Sequence, residues 1–299
     1  EHMAGQNVTV KINGVKKEYP QGTRFLELAK EYQGEYAYPI VLAKEDGRLR
    51  ELMKKISDGT SVCFVTLADK AGYSTYRRSM ILLMLKAFYH VVGDNANIDR
   101  IGVHFAVSGG YFCTLQGRTK LSRQLLDDVK EYMHALVKEA APIEKRSIPT
   151  AEARRRFREY RMYDKEQLFR YRRASRVNIY SIEKFEDYFY GYMVQNTGYV
   201  KYFDLIPYHS GFLLLLPETK APRKVEKSGI HEKLFQVLRD SYRWSDCLEV
   251  PNVGTLNRLI SEGKAADLIL MQEALQEKTI GNIAEQAAKA GDKRLVMIA

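Results

Sequence analysis

The chain has 299 residues, a formal net charge of +10, and 45% hydrophobic and 28% charged residues. This length predicts two or three domains with ample chain for hydrophobic cores, and the composition is that of an ordinary soluble protein. No apolar run approaches the roughly 18 residues of a membrane span and no signal peptide opens the chain, so we expect no membrane contact. Three scattered cysteines indicate reduced, structural thiols, so we expect a cytoplasmic protein.

The first segment, 7–67, predicts a small domain with β-grasp element order. Alternating residues turn at Asn13-Gly14, the strongest short hairpin signal. Thr23 is the expected N-cap of a helix that carries Phe25 and Leu28. Further strands are predicted at Tyr38–Ala43, Arg48–Met53 and Ser61–Leu67.

Three features of this segment carry a resemblance. They are the Asn-Gly hairpin, Tyr-Pro-x-Gly-Thr at 19–23 before the helix, and Asp-Gly-Thr at 58–60 before the last strand. In this order they resemble the TGS domain, named after threonyl-tRNA synthetase, GTPases and SpoT proteins. The resemblance implies contact with RNA or a ligand, or else a spacer that packs on its neighbour, and the residues leave both open.

The second segment, 68–222, predicts a larger domain built on a buried helix, Tyr76–Tyr89. Met80–Leu85 has no polar break, so most of the circumference of this helix must be covered. Ile101–Val107 and Tyr111–Leu115 are rich in β-branched and aromatic residues, which favours paired strands joined by Ser-Gly-Gly. Later elements are predicted as a helix at Leu121–Lys138, a basic helix capped by Thr150, a strand at Val177–Ile182, a turn-rich bridge at Phe185–Gly191, and strands at Asn196–Leu205 and Phe212–Pro217.

The order of helix, strand, Gly-Gly-Tyr-Phe and strand resembles the second additional domain (SAD) of threonyl- and alanyl-tRNA synthetases, which hydrolyses mischarged tRNA. The family carries His-x-x-x-His on the helix and Cys-x-x-x-His later. Here Arg78 and Leu82 stand at the two histidine positions, and neither motif occurs anywhere in the sequence. Leu82 has no lone pair and Arg78 has no acceptor, so we expect a degenerate site without metal or catalytic residues.

Other catalytic patterns are also missing from the sequence. There is no Gly-x-x-x-x-Gly-Lys-[Ser/Thr], no Gly-x-Gly-x-x-Gly and no Gly-x-Ser-x-Gly. His104 and His209 lie in predicted strand regions where they can meet across a sheet, although lone histidines on strands are more often hydrogen-bonded structural residues. Both remain candidate ligand contacts.

The positive charge is concentrated between Glu144 and Arg176, where twelve Lys or Arg stand against five Asp or Glu. Aromatic residues alternate with these arginines, as in sites that stack bases and contact phosphates. The alternative is that the aromatic and apolar residues face a core while the arginines are solvated. The candidates for contact are Arg154, Arg155, Arg156, Arg172 and Arg173; the residues whose burial would decide are Phe157, Tyr160, Leu168 and Phe169.

The last segment, 223–299, predicts a helical connector with helices at His231–Tyr242, Val253–Gly263 and Ala265–Lys289. It closes on an apolar strand, Lys293–Ala299. A lone terminal strand needs neighbours in a sheet, so we expect it to be the first strand of a further domain.

Together with Asn-Thr-Gly-Tyr-Val-Lys at 196–201 and Tyr-His-Ser-Gly-Phe at 208–212, this order resembles fused bacterial uridine kinase-like nucleoside kinases. There the strand runs into a Walker A loop. The resemblance implies that phosphoryl transfer, with ATP and Mg²⁺, belongs to a kinase domain beyond this chain. No cofactor is expected within these residues.

We therefore predict an α+β chain, with domains at 7–67, 68–222 and 223–299, that regulates or positions a nucleoside kinase. Its expected partners are tRNA or another phosphate-bearing ligand and the kinase domain itself. The alternatives are an aminoacyl-tRNA editing hydrolase and a purely structural or dimerisation module. The candidate contacts for RNA or ligand are Arg77, Arg78, His104, Tyr111, Tyr199, Lys201, His209, Arg154, Arg155, Arg156, Arg172 and Arg173.

Overall fold

The computed structural model describes residues 7–229 and 231–292, and its mixture of helices with several sheets confirms the α+β class. The chain forms two compact units. The sheet unit comprises the chain up to Pro149 together with Arg176–His231, and the helical unit comprises Thr150–Ser175 together with the chain from Glu232 onward. The three-domain division stays a prediction. The grouping of 150–175 with the C-terminal helices was not anticipated from the sequence.

The strands are β1 (Asn7–Ile12), β2 (Val15–Pro20), β3 (Ile40–Glu45), β4 (Arg48–Glu51), β5 (Thr60–Thr66), β6 (Arg100–Val107), β7 (Gly110–Gln116), β8 (Ile143–Pro149), β9 (Arg176–Ile182), β10 (Phe185–Asp187), β11 (Asp204–Tyr208) and β12 (Gly211–Leu215). The helices are α1 (Phe25–Tyr32), α2 (Lys70–Val92), α3 (Arg123–Glu139), α4 (Thr150–Glu159), α5 (Tyr163–Arg170), α6 (Glu232–Cys247), α7 (Val253–Ser261) and α8 (Ala265–Ala290).

The first five strands form one sheet in the order β2-β1-β5-β3-β4, and β1 and β5 run parallel. The predicted Asn-Gly hairpin is confirmed, because Asn13 and Gly14 both have positive φ (50° and 85°) and link β1 to β2. Phe25 and Leu28 of α1 are fully buried in the core beside this sheet. The arrangement is a β-grasp.

The predicted N-cap at Thr23 is wrong by one residue. The Thr23 hydroxyl donates to the carbonyl of Pro20 (2.7 Å), which closes the preceding turn instead of capping the helix. Arg24 holds the N-cap position, and its N–H donates to the carboxylate of Glu27 (2.9 Å). The Thr23 hydroxyl forms its hydrogen bond within the turn that precedes the helix, so it does not cap the helix.

A second sheet, in the order β11-β12-β7-β6, packs with α2 and α3 in one hydrophobic core. Both α2 and the β6–β7 hairpin confirm the predicted elements, and Leu82 and Leu83 are fully buried. The glycine at the start of β7 is required by close approach: a Cβ on Gly110 would lie 2.4 Å from the carbonyl oxygen of Leu214. The Gly-Gly pair therefore serves strand packing.

The third sheet, in the order β10-β9-β8, includes a strand that sequence reasoning missed. In β8 the residues 144–147 are charged or polar and exposed, so no alternating apolar signal marks the strand. The strand predicted at Asn196–Leu205 is wrong. Residues 197–199 form a 3₁₀ turn because the Asn196 side chain accepts a hydrogen bond from the N–H of Gly198 (2.9 Å), and β11 begins only at Asp204.

The helical unit confirms the three predicted C-terminal helices as α6, α7 and α8. Thr150 opens α4, but its hydroxyl donates to the carbonyl of Ala174 (2.5 Å) instead of capping the helix. The strand predicted at Lys293–Ala299 lies outside the described residues. Within the described ranges, no helix combines the length and apolar character needed to cross a bilayer.

Candidate functional site

Arg78, on α2, lies where the synthetase family would place its first metal-binding histidine. Its Nε donates to the carbonyl of Tyr192 (3.0 Å), and its Nη2 lies 3.4 Å from the Thr75 hydroxyl. Gly191 (φ +132°) is needed beside it, because a Cβ there would lie 2.6 Å from the guanidinium carbon. Burial lowers the pKa of the Arg78 guanidinium, and the charge of Arg77 lowers it further.

The following turn of α2 is also occupied by packed protein. The Ser79 hydroxyl donates to the carbonyl of Thr75 (2.8 Å), accepts from the N–H of Val194 (2.9 Å) and lies 3.4 Å from Sδ of Met193. Leu82, at the second histidine position, has no exposed surface. Packed side chains fill this region of α2, and they do not provide the ligands that a metal ion needs.

No group of three or more His, Cys, Asp or Glu side chains is placed to hold a metal ion in the part of the chain that the structure describes. The expectation of a metal-free, non-catalytic site stays a prediction. A hydrolytic site that used only Arg78 and its neighbours would also need a general base, and Arg78 cannot accept a proton.

Arg77 and Tyr111, both predicted contacts, are brought together. Arg77 Nη1 donates to the Tyr111 hydroxyl (2.7 Å), and the guanidinium carbon lies 5.5 Å from the centroid of the same ring. Both residues are half-buried. The pair fixes the orientation of the tyrosine ring against α2.

The two candidate histidines lie along a row of aromatic rings. His104 Nε2 is 2.7 Å from the Thr114 hydroxyl, and its ring centroid is 5.8 Å from that of Phe112. The Phe112 ring contacts Tyr208 (6.3 Å), which contacts His209 (4.6 Å). This arrangement matches the structural alternative for His104, whereas a role for either histidine in ligand binding stays a prediction.

Tyr199 and Lys201, the remaining candidates of the sheet unit, line a groove of about 640 Å³. The 3₁₀ turn at 197–199 and the segment after it carry both residues, and the end of α3 forms another wall. The groove presents three exposed cationic side chains, and no Asp or Glu is among the residues that line it. We call it the basic groove; its charged and aromatic members are Lys138, Tyr199, Lys201, Tyr202 and Arg223.

Hydrogen bonds hold the walls of the basic groove in place. The Tyr199 hydroxyl accepts from Gln195 Nε2 (2.9 Å), and burial raises the pKa of Tyr199, so the hydroxyl stays protonated at neutral pH. The Oε1 of Gln195 is buried without a hydrogen-bond partner. Arg223 donates to the carbonyl of Ala37 (2.9 Å) and lies over the Tyr38 ring (5.4 Å), which leaves its other N–H groups for a ligand.

Most of the predicted basic stretch, 150–175, lies in the helical unit, and three of its candidate arginines pair with glutamates. Arg154 pairs with Glu166 (2.7 Å), Arg155 with Glu159 (2.8 Å) and Arg156 with Glu152 (2.6 Å). Arg172 and Arg173 are exposed, while Phe157 and Phe169 are buried and Tyr160 and Leu168 half-buried. The aromatic rings expected to stack on bases therefore serve partly as core residues, in agreement with the alternative stated from the sequence.

Three members of the basic groove were missed from the sequence. Lys138 stands in the last turn of α3, where a basic residue is common for the helix alone. Tyr202 and Arg223 follow no motif spacing. Tyr202 follows Lys201 directly in the chain, whereas only the folded chain brings Lys138 and Arg223 beside them.

The described chain is similar to part of several threonine–tRNA ligases. The enzymes of Thermotoga petrophila and Thermotoga maritima are each 29% identical over 203 residues, covering 67% of this chain and 30% of theirs. That of Desulforamulus reducens is 22% identical over 237 residues, 77% of this chain and 36% of its own. The chain thus matches about a third of each relative's length.

No protein-family model matches the sequence. The relatives nevertheless support a threonyl-tRNA synthetase-like region, as the TGS and editing-domain resemblances predicted.

Proposed function

We propose that this chain binds RNA of the tRNA class through the basic groove and does not hydrolyse it. The observation that carries the proposal is a groove with three exposed cations, two tyrosines and no carboxylate in its lining. Phosphate oxygens pair with Lys and Arg, and unstacked bases stack on tyrosine rings. The similarity to threonine–tRNA ligases supports tRNA as the class of RNA.

The packed region around Arg78 supports binding without hydrolysis. The guanidinium is held by Tyr192 and enclosed by Gly191, and Leu82 closes the second position. We expect no deacylation of seryl-tRNA, with or without a chelator. Deacylation that a chelator abolishes would instead establish the editing-hydrolase alternative.

A filter-binding titration with total tRNA between 50 and 200 mM salt tests the proposal. The double variant Lys138→Ala, Lys201→Ala removes two cations that face the groove, so the slope of log K against log salt should become shallower by roughly 2. The matched control, Lys16→Ala with Lys30→Ala, removes two exposed lysines of the β-grasp and should leave the slope unchanged.

A triple variant of Arg154, Arg155 and Arg156 tests the alternative that RNA binds to the helical unit. Because each pairs with a glutamate, their replacement by alanine should weaken tRNA binding less than the groove variant does. If the arginine variant abolishes binding while the groove variant retains it, the RNA site lies on the helical unit. Absence of any binding at 50 mM salt would remove the RNA proposal altogether.

We further propose that the chain serves a nucleoside kinase of the uridine kinase-like type. The support is the order of its parts and the resemblance at 196–201, 208–212 and 293–299. ATP and Mg²⁺ would be bound by the kinase domain. The ten residues encoded after Ala299 test this: a glycine-rich stretch ending in Gly-Lys-Thr or Gly-Lys-Ser is expected, and any other sequence contradicts it.

A second candidate role is self-association, which exposed apolar residues on the helical unit favour. Val237, Ile269 and Leu270 expose 63%, 58% and 64% of their surface. A contiguous exposed apolar surface marks an interaction site, and Ile269 and Leu270 are neighbours on α8. Sedimentation of the chain should show a dimer that the double variant Ile269→Glu, Leu270→Glu converts to monomer; a monomer in both cases excludes this role.

A further inference from the structure

One cavity beside the β-grasp is separate from the basic groove in nearly all of its lining. It has a volume of about 760 Å³ and lies within the sheet unit. We call it the edge cleft; its walls are Arg24, residues 49–54, residues 142–146 and residues 192–195. Gln195 is the one residue that lines both sites.

Two edge strands, β4 and β8, contribute residues to the walls of the edge cleft. Among the described strands, β4 is the last of the β-grasp sheet and β8 the last of the three-stranded sheet. An edge strand carries a row of backbone N–H and C=O groups without strand partners. The carbonyls of Leu52 and Lys54 accept hydrogen bonds from the N–H groups of Leu26 and Phe25, so the open part of the β4 edge is at residues 49–51.

The register of β3 and β4 shows which groups of β4 face outward. Asp46-Gly47 forms a two-residue turn, so Glu45 and Arg48 form the hydrogen-bonded pair that closes the hairpin. Hydrogen-bonded and non-bonded pairs alternate in antiparallel strands. The N–H groups of Leu49 and Glu51 consequently point away from β3, toward the open edge.

The register of β8 can be read in the same way. The N–H of Ile143 donates to the carbonyl of Gln195 (2.9 Å), which lies on the side opposite β9. By the same alternation, the N–H and C=O of Lys145 face that side. The edge beyond Ile143 is therefore open where Lys145 lines the cleft.

The side chains of the edge cleft combine positive charge with an apolar floor. Its lining includes five cations and two carboxylates: Arg24, Arg50, Lys54, Lys145, Arg146, Glu51 and Glu144. Arg50, Lys145 and Arg146 pair with Glu45, Glu51 and Glu186. Arg24 and Lys54 are exposed at the cleft, and the floor consists of buried Leu52, Ile143, Met193 and Val194.

We propose that the edge cleft binds an extended peptide segment of a partner protein, with alternating acidic and apolar residues, by adding it as a strand to an edge. Backbone groups of β4 or β8 pair with the peptide backbone, as in other strand-addition complexes. Apolar side chains of one face of the peptide meet the floor, and acidic side chains of the other face meet Arg24 and Lys54. A nucleotide would use the same cations but not the edge amides.

The probe is a fluorescein-labelled peptide, Glu-Val-Glu-Leu-Glu-Val, measured by fluorescence anisotropy. The double variant Arg24→Glu, Lys54→Glu should weaken its binding by about tenfold or more, because it places like charge beside the peptide. The matched control, Lys16→Glu with Lys30→Glu, changes equal charge elsewhere on the β-grasp and should alter binding by less than about twofold.

Two further measurements report strand addition directly. Peptides N-methylated at either the odd or the even amides should differ, because only one set of amides pairs with the edge strand. Backbone hydrogen exchange at Leu49 and Glu51, or at Lys145, should slow when the peptide binds. Equal binding of peptides methylated in either register overturns the proposal. So does unchanged exchange at all three amides, absence of binding, or displacement of the peptide by equimolar UMP or ATP, which would assign the cleft to a nucleotide.

Discussion

The sheet unit buries most of its large hydrophobic side chains, whereas the helical unit leaves many of them exposed. Among the described residues, three of those in the sheet unit are largely exposed: Val15, Met53 and Tyr190. In the described part of the helical unit, twelve are exposed: Tyr163, Leu234, Val237, Tyr242, Val253, Leu256, Ile260, Ile269, Leu270, Met271, Ile280 and Ile283. Of its residues within 150–175 and 232–292, the helical unit buries only five hydrophobic ones: Ala153, Phe157, Met162, Phe169 and Phe235.

This difference shows where burial stabilises the fold. The two hydrophobic clusters lie in the sheet unit, whereas α8 has no buried residue at all. Each fully buried aliphatic side chain contributes about 1.5–3 kcal/mol, and an exposed one contributes little. The helical unit therefore has apolar surface to offer a partner, and the sheet unit has a core that positions its two clefts.

A matched pair of leucine variants gives the largest expected difference in stability between the two units. Leu82→Ala in α2 removes a side chain with no exposed surface and should cost about 3 kcal/mol through lost burial and a cavity. Leu270→Ala in α8 truncates a side chain that is 64% exposed and should change stability by less than about 0.5 kcal/mol. Urea unfolding followed by circular dichroism measures both; equal losses would contradict the contrast.

Gly191 in the sheet unit and Gly263 in the helical unit allow the same comparison for the backbone. Gly191→Ala combines a φ of +132° with a contact 2.6 Å from the Arg78 guanidinium, so a loss of about 2–3 kcal/mol is expected. Gly263→Ala has a φ of +78° and open space around its Cβ, so only the backbone strain of about 1 kcal/mol remains. Denaturant midpoints of the two variants give the difference. A larger loss for Gly263→Ala would contradict the role of Arg78 as packed structure.

A third pair concerns tyrosine hydroxyls. The Tyr76 hydroxyl donates to the carbonyl of Tyr202 (2.5 Å) and accepts from its N–H (2.9 Å). Tyr76→Phe should cost about 1–2 kcal/mol, because both backbone groups lose their partner. Tyr163→Phe in the helical unit alters a residue that is 56% exposed and should be neutral. Thermal unfolding distinguishes them, and a neutral Tyr76→Phe would show that water replaces the hydroxyl.

The smallest expected effect tests ion pairing in the helical unit. Burial raises the pKa of Glu166, but hydrogen bonds from Arg154 and Arg158 outweigh this and hold it below the ordinary value of 4.5. A depressed carboxyl pKa stabilises the fold above the unfolded pKa, and the stabilisation is lost as pH falls through the folded value. Glu166→Gln should thus cost about 1 kcal/mol at pH 7.

The same variant should differ less from the unsubstituted chain as the pH falls below 4.5, since protonation of Glu166 removes the interaction that the glutamine lacks. Urea unfolding at pH 7 and pH 3 measures this change. A difference that is constant with pH would show that the two ion pairs are screened and that the arginines remain available to phosphate.

Part of the candidate site could be predicted from residue order and part could not. Tyr199 and Lys201 were identified through the resemblance of 196–201, and both line the basic groove. Lys138 and Arg223 complete it from distant parts of the chain, and sequence spacing contains no information on such a juxtaposition. The arginines at 154–156 were predicted from the concentration of charge and the interleaved aromatic residues, yet each of them pairs with a glutamate one helical turn away or on α5.

Local residue order determined the elements that depend on near neighbours: the hairpin at Asn13-Gly14, the buried helix α2, the β6–β7 pair and the three C-terminal helices. Turn geometry and hydrophobic periodicity act within a few residues, so a sequence is sufficient for them. Only the tertiary structure decided that β8 is a strand, that Arg78 is packed against Gly191, and that two edge strands enclose one cleft. Those outcomes depend on contacts between residues far apart in the chain, where backbone pairing and burial outweigh local preference.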